Sequence, residues 1–176
     1  VRDVHRDFLA PGTLHGAGNR TLLLGCDTSL AARANLAVRG DKVAQGVDIF
    51  IAPTYDSGEG WIGTLQHIAR EGGCWVVGAG VALRNQDLPS DFPEREMLYP
   101  PDEDWINPGD SVVVAPGGEI VAGPLHQQQD ILYAEVDAER AASARRSFDV
   151  AGHYARPDVF TLKVNRQKQS PADFNP

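Results

Sequence analysis

The polar loop Thr54–Trp61 is the stretch of this sequence best placed to carry out chemistry. It follows Val47–Ala52, a nearly continuous apolar run typical of a strand buried on both faces. Ligands of α/β proteins commonly bind beyond the carboxyl ends of such strands. Thr54, Tyr55 and Trp61 are therefore candidate substrate-pocket residues. The alternative is that the two aromatic side chains only cap the core, and the sequence favours neither interpretation.

The histidines give weaker evidence for a chemical site. His67 and Glu71 lie four residues apart, a spacing that places them on one helical face and favours a weak surface contact. A metal site would need three or four converging ligands, and the sequence has no His-Glu-x-x-His or paired-cysteine spacing. Pro116-Gly117-Gly118 lacks the following helix and lysine of a phosphate-binding loop, so it indicates a hairpin turn. We expect no metal and no cofactor.

Apolar periodicity predicts alternating strands and helices, and hence an α/β fold. Strands are predicted at Thr21–Gly25, Val47–Ala52, Cys74–Ala82, Ser111–Ala115, Glu119–Ala122, Ile131–Val136 and Phe160–Val164. Helices are predicted at Ser29–Gln45, from the cap Asp56-Ser57-Gly58 to Gly72, and from Asp137 to about Arg146. Val1–Gly18 and the 28 residues of Leu83–Asp110 are predicted to be irregular. A loop as long as the second is usually functional or wraps a neighbour.

Composition narrows the class of protein. The 176 residues fit one domain, and 24 acidic against 16 basic residues give a formal charge of −8. This balance disfavours a nucleic acid or an anionic membrane as partner. The longest apolar runs are strand-sized, far below the roughly 20 residues of a membrane-spanning helix. Only two cysteines are present, which favours a reducing, cytoplasmic setting.

Five segments carry a resemblance to a known family. They are GVDIFIAPTYDSGEGW, HIAREGGCWVVGAG, INPGDSVVVAPGGEIVAGP, ILYAEVD and DVAGHYARPDVF. In their order and spacing, from about Val43 to Leu162, they resemble a nitrilase of the carbon–nitrogen hydrolase superfamily. The last segment is more similar to nitrilases proper than to the amidase branches.

The resemblance implies a fold and a reaction. The fold would be a four-layer αββα sandwich in a protein that forms homo-oligomers. The reaction would convert a small-molecule nitrile, or an amide, to a carboxylic acid and ammonia through cysteine thioimidate and acyl intermediates. A thiol becomes nucleophilic only beside a base, and the developing anionic nitrogen needs a cation. The family supplies a glutamate and a lysine for these tasks. The resemblance also places the start of the helix that carries His67 near the substrate pocket, so His67 is a fourth candidate pocket residue.

The sequence departs from the family before Val43. The family's nucleophile stands in a Cys-Trp-Glu context about sixteen residues before the position of Gly46, where this chain has Leu30. The nearest cysteine is Cys26, which follows a predicted strand and is the candidate nucleophile; its alternative role is that of a small, half-buried apolar residue. Cys74 lies inside an apolar run, so we expect it in the core.

The segment before Cys26 contains neither a glutamate nor a lysine. Two members of the family triad are thus missing from it, and we expect truncation, rearrangement or a reading-frame error, with impaired catalysis. The expected organisation is an atypical segment 1–42, the C-terminal part of a nitrilase domain at 43–165 and a disordered tail at 166–176. The alternative function is a non-catalytic scaffold or oligomer-forming remnant. A sandwich incomplete on its N-terminal side exposes a sheet face, which predicts self-association.

Overall fold

The fold is a mixed β-sheet with helices on both faces, seen in a computed structural model that describes residues 46–161 and the backbone of 12–15 and 21–26. Seven strands occur in these ranges: β1 Gly12–His15, β2 Thr21–Cys26, β3 Ile49–Thr54, β4 Trp75–Gly80, β5 Ala82–Arg84, β6 Trp105–Val114 and β7 Ile120–His126. Three helices accompany them: α1 Gly58–Gly72, α2 Arg95–Leu98 and α3 Ala138–Ser147. The predicted α/β class is confirmed.

The sheet has the order β1-β2-β3-β4-β6-β5, with β7 also paired to β6. Strands β2, β3 and β4 are parallel, and β6 runs antiparallel to β4, β5 and β7. Because β3, α1 and β4 follow one another along the chain, they form a strand–helix–strand unit at the centre of the sheet. The predicted central strand and crossover helix are confirmed.

Alternate residues of β3 point to opposite faces of the sheet, as the two-residue repeat of a strand requires. Phe50 and Ala52 pack with Leu65 of α1, while Ile49 and its neighbours pack with Ala141 of α3. The first face is completed by the remaining buried apolar residues Val47, Trp61, Ile68, Ala69, Cys74, Val76, Val112 and Val114. Burial on both sides explains why β3 is almost continuously apolar in sequence.

Helix α1 begins and ends where the sequence predicts. Its apolar residues recur at three- and four-residue spacing on the buried side. Gly73 ends the helix in the left-handed conformation, with φ of 54°. Its start differs from expectation in one respect: Ser57 occupies the N-cap position, but its side chain makes no capping hydrogen bond.

Helix α3 is fixed to the opposite face by polar contacts as well as by Ala141. Asp137 caps it by accepting a 2.9 Å hydrogen bond from the Glu139 backbone N–H. The Trp75 indole donates to the Asp137 carbonyl at 2.8 Å, and Arg145 forms a 2.7 Å ion pair with Asp48 just before β3. The helix is therefore attached to the sheet at both of its ends.

Strand β6 is longer than the sequence predicts. Its first half, from Trp105 to Asp110, falls in the stretch predicted to be irregular, yet it pairs with β5 and with β7. Local propensity missed this strand because Pro108 and Gly109 disfavour strands. The remainder of that stretch folds around Asn85, whose side-chain amide donates to the carbonyls of Tyr99 and Pro100 at 3.0 and 2.9 Å.

Two further secondary-structure predictions are wrong. Ile131–Val136 is irregular and does not join the sheet; its apolar pattern reflects the packing of Leu132 and Val136 against the α3 face, which needs no strand partner. Gly12–His15, predicted to be irregular, forms a strand because β2 offers it an antiparallel edge. The helix at Ser29–Gln45, the strand residues after Thr161 and the tail lie outside the described residues.

The contact between β4 and β6 sets the first testable prediction. A Cβ atom on Gly80 would lie 1.8 Å from the carbonyl oxygen of Gly109, so no side chain fits there. We expect Gly80→Ala to lower the free energy of unfolding by about 3 kcal/mol, the scale of severe overpacking. Urea denaturation measures this change.

Gly63→Ala is the matched control. Gly63 lies inside α1, and a Cβ atom there meets nothing within 4 Å. We expect this substitution to stabilise the protein by about 0.5–1 kcal/mol, because alanine is the better helix former. Equal unfolding midpoints for Gly80→Ala and the unaltered chain would contradict the account of the β4–β6 contact.

Candidate functional site

The carboxyl ends of the parallel strands β2, β3 and β4 meet at one edge of the sheet. Cys26 is the last residue of β2, and its backbone pairs with Ile51 of β3. Strand spacing therefore places the Cα of Cys26 about 5 Å from Ile51, and about 10 Å short of the level of Thr54. The side chain of Cys26 is outside the described part of the chain. The backbone places the candidate nucleophile beside the middle of β3, three residues before the loop that follows this strand.

That loop begins at Thr54 and is held by its own side chains. The buried Thr54 hydroxyl accepts a hydrogen bond from the Asp56 N–H at 2.9 Å, and Asp56 Oδ1 accepts one from the Ser57 N–H at 3.0 Å. These two short-range turns point the chain towards α1. Tyr55 lies at the tip with 59% of its surface exposed, so it is available to a ligand at this edge.

A second segment, Asn107–Ser111 of β6, crosses the same edge, and we call it the clamp. Since β6 runs antiparallel to β4, its first residues lie beside the carboxyl end of β4. The Asn107 amide donates to the Tyr55 carbonyl, and the Ser111 hydroxyl accepts from the Gly80 N–H at 3.0 Å. The clamp thus joins the loop after β3 to the end of β4.

Asp110 is the central residue of the clamp. Its carboxylate is almost fully buried, with 2% of the side-chain surface exposed. Oδ2 accepts from the Gly58 N–H at the start of α1 at 2.7 Å, and Oδ1 lies 2.7 Å from Nδ1 of His126 on β7. A carboxylate at a helix N-terminus is favoured by the helix dipole and satisfies an otherwise orphaned N–H group.

The other two candidate pocket residues lie on α1, Trp61 in its first turn and His67 farther along it. Trp61 is 8% exposed and packs in the α1 core cluster with Leu65. His67 is on the outer surface of α1, 3.6 Å from Glu71, the surface contact that its spacing favours. At 1.5 Å per residue, His67 is about 14 Å along the helix axis from Gly58. Of the four predicted pocket residues, Thr54 and Tyr55 lie in the loop at the edge, Trp61 is buried in the core beneath the first turn of α1, and His67 is remote from the edge.

Cys74 is in the core, as predicted from its apolar surroundings. Burial raises the pKa of its thiol to about 12, only partly opposed by the positive charge of Arg145. A thiol with such a pKa is uncharged near neutrality, and only the thiolate is an effective nucleophile. The environment of Cys74 therefore suits a packing role.

Neither a metal centre nor a membrane span is evident in the described part of the chain. Among residues 46–161, no three histidine, cysteine or acidic side chains converge as metal ligands. No helix within the described ranges is long and apolar enough to cross a bilayer. A groove of about 490 Å³ lies at the opposite edge of the sheet, lined by Arg70, Pro116, Gly117, Ala144, Ser147 and Phe148. It is remote from the carboxyl edge and contains no nucleophilic thiol or carboxylate.

Sequence reasoning did not find the clamp. The sequence places Asp110 at the end of a stretch predicted to be irregular, and no spacing in the sequence links His126 to it. The available signal was the polar run Asn-Pro-Gly-Asp-Ser directly before three valines. Turn-forming residues at the start of an apolar strand indicate a bulge that can re-aim side chains.

Comparison with known proteins identifies the family. The family model for carbon-nitrogen hydrolases matches residues 39–146, more than half of the chain. The chain therefore belongs to the carbon–nitrogen hydrolase family, as its sequence segments indicate. Strands β3 to β7 and helices α1 and α2 fall within this match, α3 lies within it up to its last residue, and β1 and β2 precede it.

Individual relatives of this chain also carry nitrilase names. A bifunctional nitrilase/nitrile hydratase of Nicotiana tabacum is 38% identical over 142 residues, covering 78% of this chain and 40% of the relative. An aliphatic nitrilase of Sinorhizobium fredii is 39% identical over 133 residues, covering 76% of this chain and 42% of the relative. The chain thus spans about 40% of the length of the relatives it matches.

A solved structure supports the fold. The NitFhit protein of C. elegans superimposes with a TM-score of 0.62 at 20% identity, covering 93% of this chain and 35% of that protein. At this level of identity the comparison concerns the fold alone. The sheet and helices described here are a part of the nitrilase-type αββα fold, as predicted.

Burial of Cys74 predicts a measurable pH dependence of stability. In the unfolded chain the thiol ionises near its ordinary pKa of 9.0, whereas in the folded chain it keeps its proton up to about pH 12. The unfolded state therefore binds fewer protons in this window, so the free energy of unfolding falls as pH rises from 9. The slope should approach about 1.4 kcal/mol per pH unit.

Urea denaturation between pH 8 and 11, on the unaltered chain and on Cys74→Ala, isolates this contribution from other alkaline titrations. We expect the stability difference between the two proteins to shrink as pH rises. A difference that stays constant over the range would contradict the buried, protonated thiol.

Proposed function

We propose that this chain forms part of a nitrile-hydrolysing site, with Cys26 as nucleophile and the loop after β3 as one wall. The observation that carries the proposal is the parallel pairing of β2 with β3, which ends β2 at Cys26, beside Ile51 of β3 and three residues before that loop begins at Thr54. Family membership supplies the reaction class, and two relatives carry nitrilase names. A small-molecule nitrile, or an amide, is the substrate class.

The reaction would proceed by addition and two hydrolytic steps. The Cys26 sulfur bonds to the nitrile carbon while a proton goes to the nitrogen, giving a thioimidate. Water then displaces ammonia and leaves a thioester, and a second water releases the carboxylic acid and restores the thiol. The mechanism needs a reduced thiol throughout, so we propose a reducing compartment such as the cytoplasm.

Two requirements of this chemistry are not met by the segment that precedes Cys26. The base that activates the thiol and the cation that receives the anionic nitrogen correspond to a glutamate and a lysine, and residues 1–25 contain neither. General acid–base catalysis typically contributes about 10²–10⁴-fold to a rate. We therefore propose that turnover by the chain as it stands is weak.

Ammonia release from a panel of alkyl and aryl nitriles tests the proposal. We expect slow release by the unaltered chain and none above background by Cys26→Ala. Cys74→Ala is the matched control and should keep the activity, because its thiol is buried in the core. Retained release by Cys26→Ala, or loss confined to Cys74→Ala, would refute the assignment of the nucleophile.

A second candidate function is that of a non-catalytic scaffold that assembles with copies of itself. It is favoured by large apolar side chains that stand out from the C-terminal part of the described chain. Ile131 is 68% exposed, Tyr133 80% and Phe160 77%. Contiguous exposed apolar patches mark interaction surfaces, and we propose that these side chains contribute to one. Absence of ammonia release by the unaltered chain would favour this candidate.

Self-association is therefore expected under either function. Sedimentation equilibrium at micromolar concentration should give a mass well above the 19.0 kDa of one chain. The variant Ile131→Ser/Tyr133→Ser should shift the equilibrium towards monomer, because it removes exposed apolar surface. A purely monomeric unaltered chain with a cooperative thermal transition would contradict this expectation.

A further inference from the structure

The clamp reaches the start of α1 across a large separation in sequence. Asn107 contacts Tyr55, and Asp110 contacts Gly58; in each case the two residues are 52 positions apart. Between these two contacts lie only Asp56 and Ser57. Both ends of the short turn Tyr55–Gly58 are therefore fixed by a single segment of β6.

The backbone of the clamp is shaped to aim Asp110 at this turn. Gly109 and Asp110 have φ angles of 93° and 61°, and the β6–β7 register shifts between Gly109 and Ser111. Successive left-handed residues form a bulge, which turns a side chain away from the direction that regular pleating would give it. Aspartate tolerates this conformation better than most residues, but a non-glycine residue there still indicates a specific requirement.

The hydrogen-bond partners of Asp110 explain why its backbone takes this conformation. Ser57, the local N-cap residue of α1, makes no side-chain capping bond, and the N–H of Gly58, the first residue of the helix, donates to Asp110. The helix start is thus defined by a distant strand. The second carboxylate oxygen is held by His126, whose ring is 57% exposed while the carboxylate is buried.

His126 connects the clamp to the end of β7. His126 pairs with Gly109 across the β6–β7 ladder, and the N–H of the next residue, Gln127, donates to the Pro108 carbonyl at 2.8 Å. The imidazole therefore has a fixed place from which Nδ1 meets the carboxylate. Each oxygen of Asp110 has its own partner, one on α1 and one on β7, so the carboxylate cannot turn without breaking a short hydrogen bond.

We propose that Asp110 is a positioning residue for the candidate site, and that it fixes the Tyr55–Gly58 turn as a wall of the substrate pocket with His126 holding its carboxylate. The proposal rests on the proposed function in one point only, the identification of this turn as a pocket wall. Asp110 acts through the turn and does not itself touch the reacting atoms.

Hydrogen–deuterium exchange resolved to individual amides tests the proposal. In Asp110→Ala, we expect exchange at the amides of Gly58–Gly60 to become at least tenfold faster than in the unaltered chain. Amides of Val76–Gly78 and Val112–Val114, in the middle of the sheet, should stay within twofold. Ser57→Ala is the control, and exchange at Gly58–Gly60 should be within twofold of the unaltered chain.

Conservative variants separate positioning from general folding. Asp110→Asn keeps one acceptor oxygen for the Gly58 N–H, so its exchange should be intermediate between the unaltered chain and Asp110→Ala. His126→Gln leaves the carboxylate intact but frees one oxygen, and should give a smaller increase at the same amides. If Asp110→Ala does not fold, these two variants decide the question.

Kinetics connect the result with the proposed function. With benzonitrile as probe, Asp110→Asn should raise KM several-fold and change kcat by less than twofold, because a displaced wall weakens substrate binding. Absence of turnover by the unaltered chain would refute the proposed function, and the exchange data would still decide the role of Asp110. Unchanged exchange at Gly58–Gly60, or acceleration spread equally over Val112–Val114, would overturn the proposal.

Discussion

The close approach of β4 and β6 at Gly80 and Gly109 is the constraint on which the rest of this structure depends. A Cβ atom on Gly80 would collide with the carbonyl of Gly109, so the two backbones can come this close only with glycine at position 80, and Gly109 has a φ of 93° that favours glycine. Once it has formed, β6 crosses the sheet edge at which the parallel strands end. The clamp then lies against the loop after β3, and the β6–β7 hairpin delivers His126 to Asp110. A steric condition in the sheet thus determines the polar organisation of the candidate site.

The carboxyl edge is consequently built from long-range contacts. The Tyr55–Gly58 turn has only two short-range hydrogen bonds of its own, which Thr54 and Asp56 accept, and exposed turns with few contacts are usually mobile. Here its two ends are hydrogen-bonded to β6, and the Asp110 carboxylate adds a favourable interaction with the helix dipole. The nucleophile proposed for this edge, Cys26, arrives from the other side, on β2. The two halves of the site therefore come from strands on opposite sides of β3 and β4.

Sequence patterns predicted the elements in which buried residues recur at the regular spacing of a strand or a helix. The apolar run at β3, the three- and four-residue spacing of α1 and the Pro-Gly-Gly hairpin all reflect geometry that each segment imposes on itself. Prediction failed where a distant partner decides the structure. Residues Trp105–Asp110 form a strand although their strand propensity is low. Residues Ile131–Val136 do not join the sheet, although their apolar pattern predicts a strand. The sequence did not indicate a role for Asp110, because its hydrogen-bond partner is the start of a helix 52 residues earlier in the chain.

The central claim is that Cys26, and not Cys74, forms a covalent bond with a nitrile at this edge of the sheet. Mass spectrometry of the chain, acid-quenched during incubation with benzonitrile and then digested, tests it most directly. The account predicts that the peptide containing Cys26 gains the mass of the nitrile, as a thioimidate, or of the corresponding acyl group. An adduct on the Cys74 peptide, or no adduct on either cysteine, would contradict the account.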